Sequence, residues 1–236
     1  MTKYNRNSYL EQVSHITKAQ PYAIYRTIFL PENSQALYRH IHPEFEFFYL
    51  ESGKLEFYIE ETQYILEAGE GIFVPGNLLH YAHCASSEGG VFYAIVFSPE
   101  YIISSVEKDI FGRHFPPALL SNPDYILPLK KEEEKNQPIL DHLREIFSAS
   151  QIKEDMYLYI RGLMLLIWQD LYQNDILKLR RENKEKEYRD LQPVIQYIHE
   201  HYMEEISLDE LARLSNMSTG YFCRLFKKIT SYTPFS

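Results

Sequence analysis

Residues 206–235 read I-S-L-D-E-L-A-R-L-S-N-M-S-T-G-Y-F-C-R-L-F-K-K-I-T-S-Y-T-P-F, and this stretch fixes the fold of the C-terminal part of the chain. Ser207 precedes Leu208, Asp209 and Glu210, so it supplies an N-cap, with Glu210 three positions on as its capping-box partner. A short helix over 208–214 follows. Ser215, Asn216, Met217 and Ser218 then form a turn in which Asn216 can take positive φ, and a second helix is expected from about 219 to 229. Phe222, Leu225, Phe226 and Ile229 repeat at i, i+3, i+4 and i+7, the inward face of that helix. This leaves Gly220, Cys223, Arg224 and Lys227 outward. A small residue at Ala212 lets the two helices approach.

Upstream of this unit, Leu191, Val194, Ile195, Ile198 and Tyr202 make an apolar stripe at spacings of three and four. The whole chain is acidic, with a net charge of −9, which by itself disfavours a phosphate partner. The distribution matters more than the sum. Between 213 and 228 the only charged residues are Arg213, Arg224, Lys227 and Lys228. A helix with such a face suits a major groove, where Arg pairs with guanine and Lys with phosphate; a plain αα-hairpin with a solvated basic face is the alternative.

The segment resembles the DNA-binding module of the AraC-type (arabinose-operon regulator) transcription factors. The resemblance implies that Gly220, Cys223 and Arg224 lie toward bases and Lys227 and Lys228 near the backbone, with Thr219 also among the DNA-binding residues. Ser231 stands where the family usually has Gly. Family modules continue into a second helix-turn-helix, which is absent here because the sequence ends at Ser236, so the expectation is a module cut in half.

The first hundred residues have a different texture, dense in Tyr, Phe, Ile and Val and cut at short intervals by turn residues. Strands are expected over 22–30, 45–50, 55–60, 63–66, 71–74, 80–84 and 91–97, a pattern that predicts a sandwich or small barrel. His40, His42 and Glu46 share a strand face by parity if no bulge intervenes, and a barrel aims that face inward; His80 can join from another strand. Three imidazoles and a carboxylate make a candidate site for a divalent transition metal, Zn, Fe, Mn or Ni. Contact with a polar effector and a satisfied structural network are the other readings.

The strings H-x-H-x3-E-x6-G, from His40 to Gly53, and G-x5-P-x4-H, from Gly69 to His80, resemble the two motifs of the cupin barrel, the sensor domain commonly attached to this DNA-binding module. The second departs from the metal-binding pattern, with Asn77 in place of Gly and Cys84 in place of Asn. The resemblance implies an effector, a carbohydrate by preference, held by His40, His42, Glu46 and His80. Among the tyrosines, mostly core and strand formers, Tyr38 and Tyr93 are candidates to stack on it.

Beyond Pro99 the chain becomes helical: a short piece over 99–110, irregular sequence through 115–123, a helix carrying Ile139, Leu143 and Ile146, and a longer one from Ile152 toward Leu179 carrying Met156, Leu158, Ile160, Leu163, Leu166 and Ile167. These helices resemble the family's dimerisation segment. The mixed-charge run 178–189 reads as an exposed helix end passing into a linker. His199 and His201 diverge on a helix and make no metal site, and Tyr157, Tyr159 and Trp168 read as packing. The expected organisation is therefore a barrel with an N-terminal arm over 1–125, a helical dimerisation segment over 126–180, a linker over 181–190 and one helix-turn-helix over 191–236.

Several classes are excluded. With 9 Gly and 12 Pro in 236 residues and 45% apolar content, the chain is neither collagen-like nor low-complexity. Its longest telling uncharged apolar stretch, 162–168, falls far short of the roughly 20 residues a membrane helix needs. The polar start lacks the apolar core of a signal peptide, and Cys84 and Cys223 form no disulfide framework, so a reducing, cytoplasmic location is expected. No Ser-His-Asp set, Walker loop or GxGxxG occurs. The expectation is an all-β cupin-like barrel followed by helices: a dimeric, non-enzymatic regulator of promoter DNA. A metal-dependent cupin isomerase or dioxygenase is the rival, and a DNA-incompetent fragment pairing with intact partners a third reading.

Overall fold

Phe45 to Leu50 are buried without interruption, which an amphipathic strand on a one-sided sheet would not be. The reason is a helical layer behind the sheet. The computed structural model describes residues 9–11, 15–17, 21–31, 34–102, 123–152, 155–173, 191, 193–194, 197–198, 206–230 and 233–234. They fall into two units, Met1–Asp175 and Ile176–Ser236.

In the first unit the strands are β1 (Tyr22–Phe29), β2 (Gln35–His40), β3 (Phe45–Ser52), β4 (Lys54–Ile59), β5 (Thr62–Glu67), β6 (Gly71–Val74), β7 (His80–Cys84), β8 (Gly90–Phe97) and β9 (Leu127–Leu129). They form a five-stranded sheet in the order β1-β8-β3-β6-β9 and a four-stranded sheet in the order β2-β7-β4-β5, with antiparallel neighbours. Phe48, Leu50, Ile72, Val74 and Phe92 from the first sheet meet Leu55, Phe57, Ile59, Leu66 and Ala82 from the second in one apolar core. The outer face of the first sheet is covered by helices. Phe45 and Phe73 meet Trp168, while Tyr49 and Tyr93 stack on Phe147.

The helices of this unit are α1 (Pro99–Ile102), α2 (Gln137–Ala149) and α3 (Tyr157–Gln173). Ile139, Leu143 and Ile146 of α2 are buried, as their spacing predicts. The longer helix starts later than expected: Ile152 lies in a turn and is exposed, and Asp155 Oδ1 accepts the Tyr157 N–H at 3.0 Å where α3 begins. Residues 174–190, with the expected helix end and linker, lie outside the described residues, as do 103–122. Two strands were not anticipated. β2 pairs with β7 through an irregular register, and β9 adds an edge strand where a helical segment was expected to begin at 126.

In the second unit, α4 (Leu208–Leu214) and α5 (Thr219–Thr230) follow the sequence reading. Leu191, Val194, Leu211, Ala212, Phe222, Leu225 and Phe226 form its core. Ser207 Oγ accepts the Glu210 N–H at 3.2 Å, and Asn216 has φ +52°. The capping box is only half made, because the Glu210 carboxylate accepts the Tyr197 hydroxyl at 2.8 Å. His199 and His201 lie outside the described residues.

Candidate metal centre and nucleic-acid interface

His40, His42 and Glu46 do not share one strand as expected, because the chain leaves one sheet after His40 and enters the other at Phe45; β3 is regular from Phe45 to Leu50, and parity places Glu46 on the interior side with Phe48. His40 ends β2 and His80 begins the neighbouring β7, directly opposite it in register. The loop after β2 brings in His42. All four side chains are buried, and each offers a donor atom within 4.8 Å of the others.

One Glu46 oxygen, Oε2, accepts from His42 Nε2 and His80 Nε2, each at 3.1 Å. The far side of two of the rings is anchored on backbone: His40 Nδ1–H donates to the Tyr38 carbonyl at 2.8 Å and His80 Nδ1–H to the Leu78 carbonyl at 2.9 Å. Such bonds turn each Nε2 inward, as second-layer contacts do for metal-ligating histidines. Burial opposes the Glu46 charge, but the hydrogen bonds from His42 and His80 outweigh it and hold the carboxyl well below its usual range. Burial likewise opposes charging of His80, and the bond to Glu46 overcomes it, raising the His80 pKa. His40 behaves oppositely. Burial and the neighbouring His80 push its pKa down to about 2, so its imidazole stays neutral with a free lone pair at Nε2. His42 Nδ1 is buried without a hydrogen-bond partner, 3.5 Å from Glu44 Oε2. A carboxylate, a neutral imidazole with its lone pair inward and two further imidazoles fit a divalent transition metal.

The turn at 75–77 holds the His42 loop in place. The Asn77 N–H donates to the His42 carbonyl at 2.7 Å, and a Cβ on Gly76 would stand 2.1 Å from the Pro43 carbonyl oxygen.

The two tyrosines proposed to stack on an effector part company. Tyr38 is half exposed, with its ring 4.7 Å from that of His40. Tyr93 is not brought to the cluster. It faces the helical layer, stacking on Phe147 and accepting the Arg26 Nε–H at 3.1 Å. The error follows from β8 being buried on both faces, which hides its parity.

On α5, Phe222, Leu225 and Phe226 are buried, while Gly220, Arg224 and Lys227 are exposed at spacings of four and three. A Cβ at Gly220 would lie 3.8 Å from an Arg224 guanidinium nitrogen, so the two share a face. Thr219 is half-buried and its hydroxyl donates to Asp209 at 3.0 Å, across to α4. Cys223, expected outward, is half-buried and packs against the core of this unit. The Ile229 and Lys228 side chains lie outside the described residues.

The two sets match two families. The cupin-domain family model matches residues 27–96, and that of the bacterial regulatory helix-turn-helix proteins of the AraC family matches 198–234. The chain thus carries a cupin domain and an AraC-type helix-turn-helix segment. A relative from Bacillus subtilis, the uncharacterised HTH-type transcriptional regulator YdeC, is 26% identical over 226 residues, covering 95% of this chain and 76% of that protein. An apo ToxT structure from Vibrio cholerae is similar at a TM-score of 0.45 and 11% identity, over 94% of this chain and 97% of ToxT. Unsaturated-fatty-acid-bound ToxT gives 0.40 and 14%, over 90% and 93%. An RmlC-like cupin from Shewanella frigidimarina gives 0.29 and 22%, over 33% of this chain and 66% of the cupin. Among the described residues no helix is long and apolar enough to cross a membrane.

Proposed function

We propose that this chain is an AraC-type, sequence-specific, DNA-binding transcriptional regulator of the cytoplasm whose cupin domain holds a divalent transition metal and, at the same site, a small polar effector. The observation that carries this reading is the union in one chain of a buried His40, His42, Glu46 and His80 donor set with an exposed Gly220, Arg224 and Lys227 face on the second helix of a helix-turn-helix. Arg224 reads a base and Lys227 and Lys228 contact phosphates. A carbohydrate suits the sensor side: its hydroxyls match the carboxylate and imidazole donors, and the half-exposed Tyr38 ring offers a stacking surface. A metal held by His40, His42, Glu46 and His80 would supply a Lewis-acidic anchor for such an oxygen ligand.

The chain acts as a homodimer. Leu158, Leu165 and Leu166 are 78%, 43% and 50% exposed on α3, on one side of a helix whose other side, with Leu163 and Ile167, is buried. Gly162 lies between them, with open space around it. A second copy of α3 covers these leucines, and effector binding shifts the population of dimers competent for DNA.

Gel-shift titrations of the purified chain on the region upstream of its own coding sequence, at several salt concentrations and with or without a panel of sugars, test this reading. Saturable binding that weakens with salt and changes in the presence of one sugar is expected. Binding indifferent to Arg224→Ala would refute the assignment of α5 as the reader.

A further inference from the structure

Two more donors reach the metal centre from outside both cupin motifs. Leu10 pairs with Ile41 in an isolated parallel bridge; the Glu11 N–H donates to the Ile41 carbonyl at 3.0 Å and the Ile41 N–H to the Tyr9 carbonyl at 2.9 Å. Ile41 sits between His40 and His42, so this pairing sets residue 11 beside both. The Glu11 and His15 side chains are about as buried there as the motif residues are.

The geometry around Glu11 is specific. Its Oε2 lies 2.7 Å from His15 Nε2 and 3.9 Å from His40 Nε2. His15 Nδ1 in turn lies 2.8 Å from the Tyr25 hydroxyl, so the imidazole spans the two and holds the carboxylate in place. Donor atoms of Glu11, His15 and His42 lie within 4.8 Å of one another.

The contact of His40 Nδ1 with the Tyr38 carbonyl at 2.8 Å turns its Nε2 toward the Glu11 carboxylate, 3.9 Å away. Two ligands each about 2.1 Å from one metal are about 3.0 Å apart when adjacent and about 4.2 Å when opposite, and the observed separation lies between these. Charge points the same way, since Glu11 and Glu46 together balance a divalent ion. On the proposal that the cupin domain holds a metal, we infer that Glu11, carried by the N-terminal segment and sharing a second donor set with His42, closes on the ion held by His40, His42, Glu46 and His80 as a fifth ligand. The bound metal thereby ties residues 9–11 to the strand end at His40.

The test uses the full chain stripped with chelator. Zn2+ affinity is measured by competition with a chromophoric chelator, and Co2+ is added as a spectroscopic probe, for the wild type, Glu11→Gln and Glu46→Gln. Glu11→Gln is expected to weaken Zn2+ binding about 10- to 100-fold and to change the Co2+ absorption spectrum, the scale of loss seen when metal-site partners are removed. Zn2+ should also slow hydrogen exchange at the wild-type Glu11 amide. Glu11→Gln matching the wild type in affinity and spectrum, while Glu46→Gln loses the metal, would overturn the role of Glu11 and leave the metal centre standing. Absence of Zn2+ and Co2+ binding by the wild type would overturn both. Should Glu11→Gln fail to fold, unchanged exchange at the wild-type Glu11 amide on Zn2+ addition is the overturning result.

Discussion

Glu46→Gln in the metal-free chain isolates the electrostatics of the cluster, because it keeps the side-chain shape and removes the charge. In the wild type one carboxylate oxygen accepts from two imidazoles at 3.1 Å each, in a site closed to water. A hydrogen bond to a charged group is worth about 1.5–3 kcal/mol net. The amide oxygen of Gln can take the place of that oxygen and still accept both N–H groups, but without the charge that strengthens them, and His80 can release its proton, which keeps the cost under the roughly 3–5 kcal/mol of stranding a bare buried charge. A loss of about 2 kcal/mol is expected, or about 4–8 °C in Tm for a unit of this size. The sign of the pH dependence follows from the two shifts. His80 is raised in the folded state, so its contribution is complete below the unfolded value of about 6.5 and fades as pH rises through the folded value. Glu46 is lowered, so its contribution is complete above about 4.5 and fades only as pH falls through its folded value. The gap between wild type and variant is therefore widest near pH 5–6.5 and narrower at pH 9. Urea unfolding with chelator present, followed by the fluorescence of Trp168, the only tryptophan, reads this unit alone. A variant as stable as the wild type at pH 6, or a gap that widens toward pH 9, would refute the charged carboxylate.

Phe222→Ala should cost about 3–5 kcal/mol, because the ring is fully buried and packs on Phe226 in a seven-residue core; loss of the helical circular-dichroism signal of α4 and α5 and of DNA binding is the readout, and an unshifted transition would contradict that packing. Arg224→Ala should cost about 1–3 kcal/mol on the preferred duplex and relax base preference, whereas Lys227→Ala should weaken all duplexes alike and flatten the salt dependence, as gel shifts on matched and scrambled sites would reveal. Leu158→Lys combined with Leu165→Lys should convert a dimer to a monomer in light scattering without unfolding it, since both residues are exposed in the single chain. A wild-type monomer at micromolar concentration would remove the need for that face.

What the sequence made legible was whatever local spacing encodes. The Ser207 cap, the left-handed Asn216 and the Phe222, Leu225 and Phe226 face are properties of a few neighbouring residues, and the structure reproduces them. His40, His42, Glu46 and His80 were legible for the same reason, as two short motifs. β2 was not, because its register against β7 slips twice and only Ala36 and Leu37 pack on the core, which erases the alternation a strand normally displays. β9 is three residues long and owes its existence to pairing with β6. Tyr93 was misplaced because the helical layer buries the outer face of its sheet, so both parities read as apolar. Glu11 carries no motif at all. Its place beside His40 is made by a parallel bridge to Ile41, thirty positions on, which no local pattern signals.

The departures from the metal-binding cupin pattern acquire a physical meaning in this frame. Asn77, where the pattern has Gly, adopts φ +60°, a conformation Asn tolerates better than other side-chain-bearing residues, and from it donates to the His42 carbonyl. The exchange thus keeps the backbone geometry that Gly provides and adds no group to the donor set. Cys84, where the pattern has Asn, lies four residues beyond His80 on β7, opposite Leu55, with its thiol donating to the Ser86 carbonyl at 3.3 Å. A cysteine there joins the apolar core, where a longer amide would need two further partners. Neither change touches a donor atom of His40, His42, Glu46 or His80. The turn that carries Asn77 also explains why the second motif supports the first: with no Cβ on Gly76, it packs directly against the Pro43 carbonyl and fixes the loop that aims His42. A substitution at Gly76 would therefore act on the donor set through His42 rather than through the sheet.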